Sequence, residues 1–183
     1  MAAIDRAYVI NNIEPYIFIG SWQSSSDYEN LTEEKIKVIL SLEVNKKPDY
    51  MLSKYEESDI LSYEIHIDNT QEENMERWFP RIYAIISHFV KQGVNILVHC
   101  GDGYSRAVVA VASYILTRSY INKKSDAVWK KPIADDILKY VIDKRRHANP
   151  SMHFISQLRM FETHILSNDY DVTKLAALQH HKK

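Results

Sequence analysis

The chain has 183 residues, 45% of them hydrophobic and 26% charged, which is the composition of one globular domain able to bury a core without metal ions. Its 23 basic and 24 acidic side chains leave a formal net charge of −1, and this balance excludes a global basic field for nucleic acids or anionic membranes. The single cysteine, Cys100, excludes an internal disulfide. The N-terminus lacks a secretory signal, and no stretch of about 18 apolar residues occurs, so we expect a cytoplasmic protein that can also be nuclear.

Strand and helix patterns alternate along the chain. They predict strands over residues 16–19, 37–42, 63–67 and 95–98. They predict helices over residues 24–35, 75–91, 105–119 and 152–166, with a further helix opened by Pro132 and a loop with one helical turn over 45–59. This alternation is typical of an α/β fold, here a single domain with a central, largely parallel sheet flanked by helices. We assign residues 1–167 to the domain and expect a disordered tail over 168–183.

The most distinctive segment is residues 96–106, with the sequence ILVHCGDGYSR. A predicted buried strand ends in His99 and Cys100, a five-residue loop follows, and Arg106 then begins an apolar helix. Two glycines allow the loop to curl with several N–H groups pointing inward, and the helix N-terminus adds its dipole at the same place. The pattern therefore predicts an anion cradle of phosphate size. Its residues are Gly101, Asp102, Gly103, Tyr104, Ser105 and Arg106.

Cys100 and Arg106 give this cradle a chemistry. Main-chain N–H groups that bind phosphate also stabilise a thiolate, and a thiolate at the base of the cradle can attack phosphorus. The planar guanidinium of Arg106 can hold two phosphate oxygens and meet the charge that develops in the transition state. A cysteine at a strand end is most often a small core residue. The two glycines and the strand–loop–helix context favour the catalytic interpretation.

His99-Cys100, five residues and then Arg106 resemble the signature of the protein tyrosine phosphatase superfamily. The residues that precede Arg106 are similar to the dual-specificity branch in particular, and the likeness extends from about residue 8 to residue 166. The resemblance implies a protein tyrosine phosphatase-like fold and a phosphocysteine intermediate. It also implies phosphoprotein substrates carrying phosphotyrosine, phosphoserine or phosphothreonine, with no cofactor and no metal. His99 is expected to support the loop.

The resemblance further implies a general acid on a loop about 30 residues before the cysteine. Asp68 lies 32 residues before Cys100, after a predicted strand and before a predicted helix. It is the residue expected to protonate the leaving group and later to act as base toward water. Glu72 and Glu73 lie close by in the sequence and remain alternatives.

Two positions modify the expected function. The family usually has Ser or Thr after the arginine, where the hydroxyl helps the cysteine to leave, whereas Ala107 stands there. Two interpretations stay open: the missing hydroxyl slows hydrolysis of the phosphoenzyme, or Ala107 only packs against the sheet and hydrolysis tolerates it. Asp102 disfavours a multiply charged head group or an RNA 5′-triphosphate by like-charge repulsion. A protein phosphatase is therefore the first interpretation. The alternatives are a phosphatase of a non-protein phosphoester, such as a phosphoinositide or an RNA 5′-phosphate, and a weakly active phosphoprotein-binding pseudophosphatase.

Overall fold

The computed structural model describes residues 9–123 and 133–167. The tail expected to be disordered, residues 168–183, lies outside the described residues, and so does Pro132. None of the helices in the described ranges is long and apolar enough to cross a membrane.

A central sheet runs through the described part of the chain. Its strands are β1 (Asn11–Glu14), β2 (Ile17–Ser21), β3 (Ile36–Ser41), β4 (Leu61–Glu64) and β5 (Asn95–Cys100). They lie in the order β1-β2-β5-β3-β4, with β1 antiparallel to β2 and every other pair parallel. The predicted α/β domain with a largely parallel sheet is confirmed. Because parallel strands end at the same edge, the ends of β2, β3 and β5 meet there, and sites form at such edges.

Helices cover both faces of this sheet. They are α1 (Trp22–Ser25), α2 (Tyr28–Glu33), α3 (Asp49–Glu57), α4 (Phe79–Val90), α5 (Arg106–Lys123), α6 (Ala134–Lys144) and α7 (Met152–Leu166). Successive side chains of a strand point to opposite faces. Ile17 and Ile19 therefore pack in the larger core with α4 to α7, whereas Phe18 packs in the smaller core with α2 and α3. The apolar helix α5 is buried in the larger core, directly behind the end of β5.

Four elements differ from what the sequence pattern predicts. The single helix predicted over residues 24–35 is instead two short helices, α1 and α2, because Asp27 caps a new helix. Residues 45–59 contain the nine-residue helix α3 rather than one helical turn. The sequence pattern does not predict this helix, because only two of its residues, Met51 and Tyr55, are buried. Strand β4 ends at Glu64, and buried Ile65 already lies beyond it. Strand β1 is absent from the prediction because Ile13 is its one buried residue.

Candidate active site

Cys100 ends β5 at the carboxyl edge of the sheet, with 3% of its surface exposed. Helix α5 begins at Arg106, so residues 101–105 form the predicted loop between a buried strand and a buried helix. The amide of Leu42 donates to the carbonyl of His99 at 2.9 Å. The segment that follows β3 therefore runs alongside the cysteine, although it is distant in sequence.

The cysteine loop (residues 100–106) turns main-chain carbonyl groups outward, into hydrogen bonds with surrounding residues. These bonds are Trp22 N to Gly101 O at 2.8 Å, Arg145 Nε to Gly103 O at 2.7 Å and Asn149 N to Tyr104 O at 2.9 Å. In a trans peptide, the C=O and the N–H of the next residue point to opposite sides. The amides that follow these carbonyls therefore point toward the space that the loop encloses. Inward-turned amides of this kind are what an anion cradle requires.

Gly103 has a left-handed backbone with φ of +69°. A side chain here would also collide with the carbonyl oxygen of Gly20 and the guanidinium of Arg145. Both the conformation and the space therefore require glycine, and both belong to the turn that exposes the inward amides.

The guanidinium of Arg106 is buried and held by one end. Nη1 donates to the carbonyls of Leu42 at 3.0 Å and Ile67 at 2.8 Å. The carboxylate of Glu43 accepts from Nη2 at 3.0 Å and from Nη1 at 3.4 Å. The lateral edge, formed by Nε and the second Nη2 proton, makes no hydrogen bond within residues 9–123 and 133–167. This edge has the geometry to hold two phosphate oxygens.

Asp68 directly follows Ile67, whose carbonyl accepts the hydrogen bond from Arg106. Its side chain is exposed, with Oδ1 accepting from the amide of Asn69 at 2.6 Å. The structure thus brings Asp68, Arg106 and the cysteine loop to one edge of the sheet. The role of Asp68 as acid stays a prediction.

Glu73 serves the acid loop (residues 67–73) in another way. Its carboxylate accepts from the amide of Asp68 at 2.9 Å and from Arg77 at 3.1 Å, with 8% of the side chain exposed. Its carbonyl accepts from His153 at 2.8 Å and from Gln157 at 2.7 Å, both on α7. A carboxylate engaged in this way is better placed to brace the loop than to release a proton, whereas the carboxylate of Glu72 is exposed.

His99 is fully buried beneath the loop and has an unexpected neighbour, because Nζ of Lys47 lies 2.7 Å from its Nε2. Burial lowers the pKa of Lys47 to about 8, against the opposing effects of Glu64 and Glu43. Burial, followed by the charge of Lys47, lowers the pKa of His99 well below its ordinary value, so the imidazole is neutral at neutral pH. The sequence offers no signal for Lys47, which lies in an irregular charged segment.

Arg145 is the second residue that the sequence pattern does not assign to the site. A basic residue at a helix C-terminus is expected to interact with the helix dipole from the surface, yet only 2% of Arg145 is exposed. Besides Gly103, its guanidinium donates to the carbonyls of Ile19 at 3.1 Å and Val9 at 3.2 Å and to the side chain of Asn11 at 2.8 Å. Arg145 therefore ties the cysteine loop to β1 and β2. Burial lowers its pKa, and the nearby Cys100 opposes that effect.

The position after Arg106 has no hydroxyl group. Ala107 is fully buried in the larger core. The hydroxyl of Ser105 accepts from the amide of Ser151 at 3.1 Å, which connects the loop to the start of α7. Ser105 is thus engaged away from the position that Ala107 leaves without a hydroxyl.

The chain is similar to known proteins over most of its length. The family model described as dual specificity phosphatase, catalytic domain, matches residues 17–164. Dual specificity protein phosphatase 22 of Mus musculus is 32% identical over 155 residues, which cover 85% of this chain and 74% of the relative. Dual specificity protein phosphatase 1B of Arabidopsis thaliana is 28% identical over 159 residues, which cover 87% of this chain and 85% of the relative. A crystal structure of DUSP15 has the same fold, with a TM-score of 0.73, 22% identity and coverage of 95% of this chain and 96% of that chain.

Proposed function

This chain belongs to the dual-specificity phosphatase family, and we propose that it hydrolyses phosphotyrosine, phosphoserine and phosphothreonine in proteins through a cysteine nucleophile. The observation that carries the proposal is the cysteine loop, whose carbonyls are fixed outward while the lateral edge of Arg106 stays available beside it. A phosphate seated there would meet N–H donors on one side and a guanidinium on the other.

In the first step, the thiolate of Cys100 attacks phosphorus and the S–P bond forms as the P–O ester bond breaks. Asp68 gives its proton to the leaving oxygen, so that a neutral alcohol or phenol departs. In the second step, water attacks phosphorus and passes a proton to Asp68. The S–P bond breaks, the thiolate is restored and inorganic phosphate leaves.

The nucleophile is tested by Cys100→Ser. We expect phosphate release from a phosphotyrosine peptide to vanish while the peptide still binds, because the serine hydroxyl stays protonated at neutral pH and the cradle is intact. Malachite-green detection of phosphate and isothermal titration with the same peptide measure the two quantities. Turnover of Cys100→Ser at the wild-type rate would show that Cys100 is not the nucleophile.

The competing candidate is an enzyme whose hydrolysis of the phosphocysteine is slow. It follows from Ala107, which has no hydroxyl, and from the hydroxyl of Ser105, which accepts from the amide of Ser151. Rapid-quench measurements on a phosphopeptide separate the steps, since slow hydrolysis gives a burst of one product per enzyme before steady state. A protein that binds phosphopeptide with neither a burst nor steady-state phosphate release would instead be a pseudophosphatase. A panel containing phosphoinositides and an RNA 5′-phosphate tests the non-protein substrates.

A further inference from the structure

A buried amine lies directly behind the cysteine loop. Lys47 is 3% exposed and His99 is fully buried, and Nζ lies 2.7 Å from Nε2. No carboxylate lies within ion-pair distance of Nζ in the described ranges. Burying a cation without an ionic partner is costly, so such a residue persists where it has a role.

The chemistry of the two groups fixes the position of one proton. An ammonium group has only donors, so a protonated Lys47 must donate to Nε2 of His99. A neutral imidazole that accepts at Nε2 carries its proton on Nδ1. Nδ1 lies 3.5 Å from the carbonyl oxygen of Cys100, so the N–H faces that oxygen.

The carbonyl of Cys100 is the first of the outward-turned carbonyls in the cysteine loop. By the geometry of a trans peptide, holding this oxygen toward His99 turns the amide of Gly101 to the opposite side. His99 thus does for residue 100 what Trp22 does for Gly101. The other imidazole tautomer would set a bare Nδ1 lone pair against the carbonyl oxygen, and the contact would become repulsive.

The groups around the pair have mixed charge. The carboxylates of Glu43 and Glu64 favour the charged form of Lys47, and Arg106 acts with Lys47 against a charged His99. The ring of Trp22 lies 5.0 Å from Nζ and 6.0 Å from the imidazole centroid, so a cation–π interaction stabilises the ammonium group of Lys47. Arg145, which directly follows α6, interacts electrostatically with Cys100.

We propose that Lys47 is a positioning residue of the Cys100 site, where its buried ammonium holds the imidazole proton of His99 on Nδ1 and adds positive charge behind the thiolate. The inference rests on the proposed function, because it concerns the reactivity of the same cysteine. Lys47 touches neither phosphate nor the reacting atoms; it acts through His99.

Alkylation of the single cysteine tests the proposal without any substrate. We would measure the rate with iodoacetamide between about pH 5 and pH 9 for the wild type, Lys47→Met and Lys47→Arg. Methionine has a similar length but neither charge nor donor, so we expect the pH midpoint to rise by about one unit. Arginine keeps both, so we expect most of the shift to be reversed. Lys46→Met is the matched control, because Lys46 is the exposed neighbour and its loss should leave the profile unchanged.

Imidazole nitrogen shifts in ¹⁵N-labelled protein provide a second readout that a purely structural role would not move. His99 is assigned as the signal lost in His99→Asn. We expect the proton on Nδ1 in the wild type, and a change in tautomer in Lys47→Met. This measurement on the wild type stands even where Lys47→Met fails to fold.

The outcomes separate the two proposals. A wild-type cysteine that reacts only at alkaline pH contradicts the proposed function itself. A reactive wild-type cysteine together with an unshifted Lys47→Met profile overturns the role of Lys47 and leaves the function standing. A wild-type His99 with its proton on Nε2 overturns it as well.

Discussion

Two loops meet at the carboxyl edge of the sheet, and they are fixed by different means. The cysteine loop is held from several elements, with main-chain carbonyls bonded to Trp22, to the buried Arg145 and to Asn149. The acid loop is exposed at Asp68; it is held at its start by the hydrogen bond from Arg106 to the carbonyl of Ile67 and beyond that by the carboxylate of Glu73. Around Asp68 itself, the acid loop depends on Glu73, whose carboxylate binds the amide of Asp68 and whose carbonyl contacts α7.

This difference matches the two tasks. A phosphate cradle works by preorganised dipoles that need no movement during reaction. A general acid must reach leaving groups of different length on serine, threonine and tyrosine, so an exposed side chain on a lightly held loop suits it. The comparison predicts that damage to the cysteine loop costs both stability and activity, whereas damage to the acid loop costs activity alone.

The largest effect is expected from Arg145→Met. The substitution takes the guanidinium's hydrogen bonds away from the carbonyls of Gly103 and Ile19. We expect a loss of about 3 kcal/mol in the free energy of unfolding. With the amide of Tyr104 no longer fixed, kcat should fall roughly 10²–10³-fold. Urea unfolding and phosphopeptide kinetics measure the two losses.

Arg146→Met is the control for that experiment, because Arg146 is the exposed neighbour of the buried Arg145. It should leave both quantities close to wild type. A stable and fully active Arg145→Met protein would show that the cysteine loop keeps its shape without the guanidinium.

Asp68→Asn tests the acid loop. Asparagine keeps the size of the side chain but has no carboxylic proton, so kcat on a phosphoserine peptide should fall about 100-fold. A substrate with a good leaving group, such as p-nitrophenyl phosphate, should lose much less. The free energy of unfolding should hardly change, since the side chain is exposed. Equal losses on both substrates would remove Asp68 from the role of acid.

The cysteine loop is readable in the sequence because its signal is local, whereas the candidate acid is read from its distance to Cys100, which the resemblance implies. Two glycines, a strand end and a helix start lie within seven consecutive residues, 100–106. The full length of α7 is predicted for the same reason, since its buried residues repeat at helical spacing. Where few side chains reach the core, as in α3 and β1, the pattern is too weak to define an element.

The supporting residues are not readable, because their partners are far away along the chain. Lys47 and His99 are 52 residues apart, and Arg145 and Gly103 are 42 apart. Arg145 also stands between Lys144 and Arg146, where a helix end explains a basic run without any buried role. Burial distinguishes the three, and burial is a property of the folded chain.

The pH dependence of stability tests the buried groups behind the cysteine loop, His99 and Lys47. Below about pH 6.5 the unfolded chain takes up a proton on His99 that the folded chain does not, so acid should weaken the fold. Above the folded pKa of Lys47, which is about 8, the unfolded chain still holds a proton that the folded chain has released. The free energy of unfolding should therefore rise by about 2 kcal/mol between about pH 8 and pH 9.5.

Urea unfolding across this range checks the rise, and Lys47→Met should abolish it while Lys46→Met keeps it. A wild-type curve that is flat or falling above about pH 8 would contradict the burial of a charged Lys47 in the native state.

The smallest effect is expected from Glu73→Gln, which tests whether the acid loop depends on one side chain. Glutamine keeps an oxygen for the amide of Asp68 but loses the charge that also binds Arg77. Charge-assisted hydrogen bonds are about twice as strong as neutral ones, so Asp68 should be less well placed rather than lost. We expect kcat on a phosphoserine peptide to fall about fivefold, with p-nitrophenyl phosphate almost unaffected. Glu72→Gln, at the exposed neighbouring carboxylate, is the control and should leave both substrates unchanged. If Glu72→Gln lowered kcat more than Glu73→Gln, Glu72 would become the candidate acid. The proposal that Glu73 holds Asp68 in place would then be contradicted.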